Sequence, residues 1–507
     1  MVNLLALLLS TTVVAAPAKK PTPAPTPTPT PAVASVPRKT VTLTQKQVAE
    51  LVLQQGPKTK EVNLKYQTYK IDVVRTLQVY DWQLNAETGF EYDKMVALLN
   101  NGTTETSSKY ERYRTTLGLS KQLATTGTTL GVDVSRLSQN ISPDASITNP
   151  PPSNQTLDIA TLNLTQPLLA NSFGLASRAN VTAAEKRYEA QEIMRANELE
   201  EVVLSAIRQY WNTYVSQENF KETVAARDRY KTLVDAVRRK TNLGYSTPGD
   251  LPQIQAEFEG REQLVKAAST EYLKNMEDLV TLLGLEAGTE VVFNVPKDIP
   301  DVPKLTPKDP QTLRNIRSLK LSIEAADENL TYWKSSSYPF LDFVGKLTTT
   351  GRDEDSEGSF SEMTSGNRPG YYVGLRFNYH FGSDSQNEEI INAKLQKDLA
   401  ETQLGRTLSE TQDRESQKER AAQAAYAVAL SAERQRGYRD RAAKELTKTY
   451  NQGRTDISIL ITALNNFFSS EVVYQRAIGE YHISLNEWAA VRDELIADAR
   501  AVDVEVK

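Results

Sequence analysis

Two stretches of the chain, each about 70 residues long, contain no proline. The first runs from Ser172 to about Lys240, and its only glycine, Gly174, lies in the first turn. The second runs from Ser383 to about Tyr450. Because an α-helix rises ~1.5 Å per residue, each stretch predicts a rod on the order of 100 Å long. Compact enzyme domains do not need such rods, so the pattern favours an elongated architecture.

Apolar residues near the C-terminus recur at alternating steps of four and three, with Glu471 as the one polar interruption. This period of about 3.5 residues predicts a helix that wraps around a partner as a left-handed coiled coil. The same spacing recurs over 254–279 and 196–210. The members of the C-terminal seam are Leu460, Leu464, Phe467, Tyr474, Ile478, Tyr481, Leu485 and Trp488.

Other segments alternate with period two. Residues 82–92 place Trp82 and Phe90 on one face and Glu87 and Glu91 on the other, and 371–381 alternate in the same way. Each segment is about as long as a tilted strand that crosses a bilayer. The alternative is an edge strand of a soluble sandwich, but the aromatic strand ends favour a membrane barrel. Weaker strand candidates are 111–121, 128–138, 156–167 and 338–350.

The N-terminus has the pattern of an exported protein. Residues 1–16 contain a short apolar stretch that ends in small residues, which is typical of a signal peptide. Residues 17–39 form a Pro/Thr-rich linker, because a tract of alternating proline cannot build a core. Folded structure is expected from about Thr40.

The order of elements repeats, which indicates an internal duplication. A first repeat spans 40–292, with a helix at about 42–80, strands, a long helix, a turn and a helix at 249–283. A connector at 293–310 leads to a second repeat, 311–500, which ends with a helix at 457–497. The first repeat is longer because it carries an extra hairpin near 111–138. Six strands cannot close a membrane barrel, so the chain is expected to share a barrel with copies of itself.

Composition excludes several other classes of protein. The chain has no Cys, two His and a net charge of −5, so thiolate sites, most metal sites and nucleic-acid binding are not expected. We find no nucleophile–base constellation, P-loop or dinucleotide fingerprint, and predict no enzyme, cofactor or resident metal. His380 is interpreted as a strand residue on the polar face, and His482 as structural. The acidic segment within 351–370 is interpreted as a solvated loop.

Several short motifs resemble those of the TolC-like outer-membrane efflux protein family. They are Leu164-Thr-Gln-Pro-Leu-Leu169 before the first long helix, Gly244-Tyr-Ser-Thr-Pro-Gly-Asp250, Tyr450-Asn-Gln-Gly453-Arg454-Thr-Asp456, and Leu375-Arg-Phe-Asn-Tyr-His-Phe-Gly382. Each motif is short, but their order, spacing and duplication together are specific over about residues 40–500.

The resemblance implies an α+β membrane protein, in which a homotrimeric β-barrel is continued by a long α-helical coiled-coil tunnel through the periplasm. It implies 12 strands in the barrel, four from each protomer, and location in the outer membrane of a Gram-negative cell. This chain departs from that pattern with six strand candidates, so the extra hairpin at 111–138 is either an extracellular extension or a widening of the barrel. It also implies contacts with outer-membrane lipid, a periplasmic adaptor protein and an inner-membrane transporter.

The family's tunnel closes at its periplasmic tip, and the resemblance assigns that latch to Asp250, Tyr450 and Arg454. Arg454 aligns when one residue after Gly453 is deleted. The surrounding turn motifs contain Gly244, Gly249, Gly453 and Asp456. Capping of a helix start is an alternative role for Asp250. The positions of two further gate aspartates in some members fall on Ser458 and Ile461.

Two classes of function remain. The first is a passive conduit of a tripartite efflux or type I secretion system. The second is a barrel-anchored structural or adhesive envelope protein without flux. The charged turns favour the conduit, because a rod does not need a latch at its end.

Overall fold

Long helices and one antiparallel sheet dominate the structure, a computed structural model that describes residues 40–99, 104–142, 153–245, 247–296, 299–382 and 384–496, and the side chains of these except 95–106. The predicted signal peptide and linker lie outside these residues. In chain order, the helices are α1 (Gln45–Gln55), α2 (Pro57–Thr68), α3 (Lys70–Gln78), α4 (Leu175–Asn242), α5 (Asp250–Leu282), α6 (Arg314–Ser336), α7 (Ser356–Ser365), α8 (Asp384–Asn451) and α9 (Ile457–Val491).

The strands form one large sheet and one small one. In chain order they are β1 (Thr40–Leu43), β2 (Gln83–Leu99), β3 (Thr104–Gln122), β4 (Thr129–Ser142), β5 (Asn154–Pro167), β6 (Glu290–Phe293), β7 (Phe340–Asp353) and β8 (Pro369–Asn378). The large sheet has the order β2-β3-β4-β5-β7-β8, and every neighbouring pair is antiparallel. The short strands β1 and β6 pair in parallel.

The predicted duplication is confirmed by the order of elements. In each repeat, helical residues lead into strands, and the last strand leads into a helix of 68 residues. A tight turn then leads into a helix of 33 residues in the first repeat and 35 in the second. The two long helices therefore match the two proline-free stretches in the sequence.

Two predicted segments differ from the structure. The helix expected over about 42–80 is broken, because Gly56 adopts an extended ψ of 131° and Pro57 begins a new helix. Proline disfavours helical geometry in the residue before it. The loop expected over 351–370 contains helix α7. Asp355 caps this helix by accepting a bond of 2.6 Å from the amide of Gly358, and Met363 is buried.

The core is divided along the rods into separate clusters. One lies near the helix turns and includes Tyr230, Ile254, Leu460 and Phe467. A second lies further along α9 around Tyr481, with Ala429 and Ala432 of α8. The third surrounds Trp211 and Leu199 and includes the pair β1 and β6. The helix α9 is long and apolar enough to cross a membrane by length and composition, yet it supplies residues to these clusters.

A buried ion pair connects α4 with the second repeat. Arg314 at the start of α6 donates to the carboxylate of Glu200, which also accepts a bond of 2.9 Å from the amide of Leu495.

An ion pair also explains the polar interruption of the C-terminal seam. Glu471 is buried and accepts a bond of 2.7 Å from Arg436 on α8.

Candidate functional site: a two-faced sheet and paired helix turns

A row of apolar side chains crosses one face of the six-stranded sheet from edge to edge, and nearer to α7 the same face carries the ion pair Arg136–Asp158. The register places Leu84 opposite Leu119, Leu119 opposite Val132, and Val132 opposite Leu162, so these side chains lie on the same face. The next pairs continue the row through Leu347 and Tyr371. These side chains are all exposed in the protomer. We call this surface the apolar belt, and its members are Leu84, Ala86, Leu117, Leu119, Val132, Val134, Leu162, Leu347, Tyr371, Val373, Leu375 and Phe377.

The opposite face of the same sheet carries charges and amides that pair across strands. Arg112 on β3 approaches Glu91 on β2 at 3.3 Å. Asn163 on β5 donates a bond of 2.5 Å to Asp133 on β4. At the other edge, Arg376 on β8 pairs with Asp342 on β7 at 2.9 Å. These groups are compatible with water and not with lipid.

The two turns between the long helices have the same backbone geometry. Gly244 adopts a φ of 78°, and the amides of Gly244 and Tyr245 bond back to the carbonyls of Thr241 and Lys240. In the second repeat, Gly453 adopts a φ of 72°, and the amides of Gly453 and Arg454 bond to the carbonyls of Tyr450 and Thr449. Each is a Schellman cap, in which glycine supplies the left-handed residue.

Lys240 connects these two turns within the protomer. Its Nζ donates a bond of 3.0 Å to the carbonyl of Tyr450 and lies 3.9 Å from the centre of the Tyr450 ring. A second contact follows between Gln253 on α5 and Ser458 on α9, with Nε2 of Gln253 3.3 Å from Oγ of Ser458. The ends of both helix pairs are therefore held side by side.

Of the predicted latch residues, Asp250 and Tyr450 lie near each other. Burial raises the pKa of the Tyr450 phenol, and the negative charges of Asp250 and Asp456 raise it further. Asp250 accepts bonds from the amide and the hydroxyl of Thr247 in the turn before α5, and as the first residue of α5 its carboxylate offsets the helix dipole. Arg454 is exposed on the turn.

The turn motifs show the local roles of the remaining predicted residues. Asp456 caps α9 by accepting a bond of 2.7 Å from the amide of Ser458, and Gly249 immediately precedes α5. Ser458 is exposed, whereas Ile461 is buried in the cluster near the turns. Ile461 therefore does not present a side chain to an open channel. Sequence reasoning missed Lys240, whose only sequence signal is a basic residue in the last turn of a helix.

The two faces of the sheet suit contact with lipid on one side and with water on the other. Within the described residues, no group of three or more His, Asp or Glu could hold a metal ion. His380 is exposed next to the end of β8. His482 stacks on Trp211, with ring centres 4.0 Å apart and the planes within 4° of parallel. This contact agrees with the structural role predicted for His482.

Comparison with known proteins identifies relatives of this architecture. The family model described as "Outer membrane efflux protein" matches residues 127–285, which include β4, β5, α4 and α5. A sequence search against curated proteins finds no significant match.

Solved structures match over most of the chain. The CmeC outer membrane channel of Campylobacter jejuni is 15% identical, with a TM-score of 0.66, and the match covers 89% of this chain and 85% of that one. The MtrE outer membrane channel of Neisseria gonorrhoeae, in an open state, is 14% identical, with a TM-score of 0.62 and 90% coverage of both chains. VceC of Vibrio cholerae, an outer membrane protein, is 14% identical, with a TM-score of 0.62 and coverage of 88% and 95%.

These findings confirm the predicted resemblance and the α+β architecture of sheet and long helices, and the relatives are outer-membrane proteins, in agreement with the predicted location. The relatives are described as channels and outer membrane proteins and not as enzymes, in agreement with the prediction that the chain has no enzymatic activity. Residues 127–285 match the model of the outer membrane efflux protein family, and the chain has the fold of the solved outer-membrane channels.

Proposed function

We propose that the chain forms a homotrimeric channel that serves as a passive conduit in a tripartite efflux or type I secretion system. The observation that carries this proposal is the two-faced sheet, with the apolar belt on one side and paired charges such as Arg112–Glu91 on the other. A strand wall between lipid and water needs both faces.

The edges of the sheet require further copies of the chain. Within the described residues, β2 and β8 each have one edge without a partner strand. In lipid, each unsatisfied backbone group at such an edge costs several kcal/mol. Pairing β8 of one copy with β2 of the next removes both edges, and a closed ring of copies does so without leaving an end.

The long helices support the same assembly. The first part of α8 exposes Ile391, Leu395 and Leu399, with 49–60% of the surface of each residue accessible. Their spacing of four residues places them on one stripe of the helix. Packing this stripe against a neighbouring copy buries it and continues the barrel as a helical tube. The water-filled interior of such a tube needs no catalytic group.

We further propose that Asp250, Tyr450 and Arg454 close this tube at its tip. Arg454 is exposed, and Asp250 lies at the start of a neighbouring helix, so a charge-assisted bond between copies is within the chemistry of the two turns. A periplasmic adaptor would open the contact, and an inner-membrane transporter would supply the energy for transport.

The test is single-channel conductance of the purified protein in planar bilayers. Wild type is compared with Asp250→Ala/Arg454→Ala and with Asp413→Ala/Arg414→Ala. The control pair is exposed in the middle of α8, and its removal leaves the net charge equal to that of the first variant. We expect a small, mostly closed conductance that rises only in the Asp250/Arg454 variant.

The other outcomes contradict separate parts of the proposal. A large conductance that is the same in all three proteins keeps the conduit and excludes these latch residues. Absence of conductance from folded, inserted protein excludes the conduit and supports a barrel-anchored structural protein.

A further inference from the structure

The hairpin β3–β4 lies inside the large sheet and not beside it. β3 pairs with β2 from Gln83↔Ser120 to Leu99↔Thr104. β4 pairs with β5 from Thr129↔Thr165 to Asn140↔Asn154. The two strands also pair with each other. Both strands therefore have ladder partners on both sides, as wall strands do.

The turn of this hairpin is fixed at the end of the sheet where α4 begins. Gln166, near the end of β5, donates a bond of 3.0 Å to the carbonyl of Thr126 and accepts one of 2.5 Å from the hydroxyl of Thr128. Arg178 in the first turn of α4 donates to the carbonyl of Thr125. The turn of the hairpin therefore lies at the junction of sheet and helix, and β3 and β4 extend from that junction in the same sheet as β5.

The backbones of Gly174 and Gly127 lie in close contact at the same junction. A Cβ atom on Gly174 would lie 2.6 Å from the amide nitrogen of Gly127, and both glycines adopt positive φ, 77° and 69°. Side chains essentially never approach backbone at that distance. The turn of the hairpin is thus seated directly on the residue that caps α4.

The hairpin also carries the same two faces as the rest of the sheet. Leu117 on β3 and Val134 on β4 oppose each other within the apolar belt and are 51% and 36% exposed. Thr116 and Ser135 oppose each other on the polar face. A hairpin that extended into water beyond the membrane would not need an apolar face in register with β2, β5, β7 and β8.

We propose that β3 and β4 are membrane-spanning wall strands, so that three copies close a barrel of 18 strands, with six from each, and not the 12 that the family resemblance implies. The number 18 rests on the proposed homotrimer, whereas the membrane position of the hairpin does not. At a strand spacing of ~4.8 Å and a tilt of ~40°, the barrel diameter is about 36 Å for 18 strands and about 24 Å for 12.

This width changes where the channel can select its cargo. Barrels of roughly 16–18 strands leave an open aqueous channel. The barrel of this protein would therefore pass solutes that a 12-stranded barrel hinders, and size selection would be left to the helical tube and its tip turns.

The chain has no cysteine, so single cysteine variants can be spin-labelled without background. We would label Leu117→Cys and Val134→Cys on the belt, and Thr116→Cys and Ser135→Cys on the polar face. Leu347→Cys on β7 and Tyr245→Cys on the tip turn serve as lipid and water controls. Collision rates with oxygen and with a water-soluble nickel chelate are measured in phosphatidylethanolamine/phosphatidylglycerol vesicles, and native mass spectrometry counts the chains.

We expect the oxygen-to-nickel ratio at Leu117 and Val134 to match that at Leu347, and the ratio at Thr116 and Ser135 to approach that at Tyr245. A water-like ratio at all four hairpin positions would overturn the proposal. A mass that differs from three chains, with the alternating pattern intact, would overturn the strand number and the proposed homotrimer but keep the hairpin in the wall. Variants that do not fold are identified by their native mass, and the neighbouring position on the same face then replaces them.

Discussion

Nζ of Lys240 lies 3.0 Å from the carbonyl oxygen of Tyr450 and 3.9 Å from the centre of its ring. One ammonium group therefore donates a hydrogen bond to a carbonyl in the last turn of α8 and also lies over the ring of Tyr450, a predicted latch residue. The contact joins equivalent turns of the two repeats, which are 210 residues apart in the chain. The positive charge also stabilises the carbonyl end of a helix.

Replacing Lys240 should loosen the tip. Lys240→Met keeps the aliphatic stem but removes the bond and the cation–π contact, which together are worth about 2 kcal/mol. Such a loss would raise the open-state population by roughly 30-fold, because each 1.4 kcal/mol is a factor of about ten. Open probability in planar bilayers measures the change. Lys231→Met, an exposed lysine on the same helix, is the control, and equal behaviour of both variants would show that the contact does not hold the tip closed.

Gly174 and Gly244 adopt nearly the same φ, 77° and 78°, in different surroundings. Alanine at Gly244 would meet no atom within 4 Å, so Gly244→Ala should cost only the left-handed strain of about 1–2 kcal/mol. Alanine at Gly174 would also collide with the backbone of Gly127, and Gly174→Ala should cost more. Urea unfolding of the purified protein in detergent compares them. An equal shift of the two midpoints would show that the junction relaxes around the methyl group.

Glu200 and Glu201 are neighbours on α4, with 4% and 67% of their side chains exposed. Glu200→Ala leaves the charge of Arg314 buried without its partner, which should destabilise the protein by about 3–5 kcal/mol. Glu201→Ala removes a surface pair with Arg208 at 3.4 Å and should cost no more than about 1 kcal/mol. The same unfolding assay measures both changes. Similar midpoints would mean that water solvates Arg314 in the absence of Glu200.

His482 should make stability dependent on pH. Burial lowers the pKa of its imidazole to about 4, whereas the unfolded value is 6.5. Between these values the unfolded state binds a proton that the folded state does not. The stabilisation is therefore complete above about pH 6.5 and decreases by about 3 kcal/mol as the pH falls through the folded pKa.

Unfolding midpoints from pH 4 to 7.5 check this prediction. His482→Gln should flatten the profile, because it removes the buried imidazole. If the profile of His482→Gln kept the slope of wild type, other groups would account for the acid sensitivity.

Much of this fold could be predicted because its periodicities are long. The absence of proline over α4 and α8 and the alternation in β2 and β8 depend only on local sequence, and the structure confirms them. The helix α7 was missed because it is short and its stabilising contacts are tertiary. Its Ser359 is buried against the sheet, where its hydroxyl bonds to the carbonyl of Gly351 at 3.0 Å.

Only part of the candidate site could be predicted, because some of its contacts depend on how distant parts of the chain pack together. Glycines and acids at the turns are visible in the sequence, because Schellman caps and helix starts require those residue types. The contact of Lys240 with Tyr450 depends on how the two repeats pack. A single lysine belongs to no sequence pattern that predicts such a contact. The parallel pair β1 and β6 was missed because each strand has only four residues.

The separation of the core into clusters along the rods has a mechanical consequence. In a protein with one continuous core, moving any helix disturbs the packing of the whole. Here the cluster around Phe467 and Tyr230 is distinct from the cluster around Trp211 and Leu199. The helix ends can therefore splay apart by breaking local contacts, while the half of each rod next to the sheet stays packed. Amide hydrogens near the turns should therefore exchange earlier than those around Trp211, because the end of the rods at the turns is mechanically softer than the half next to the sheet.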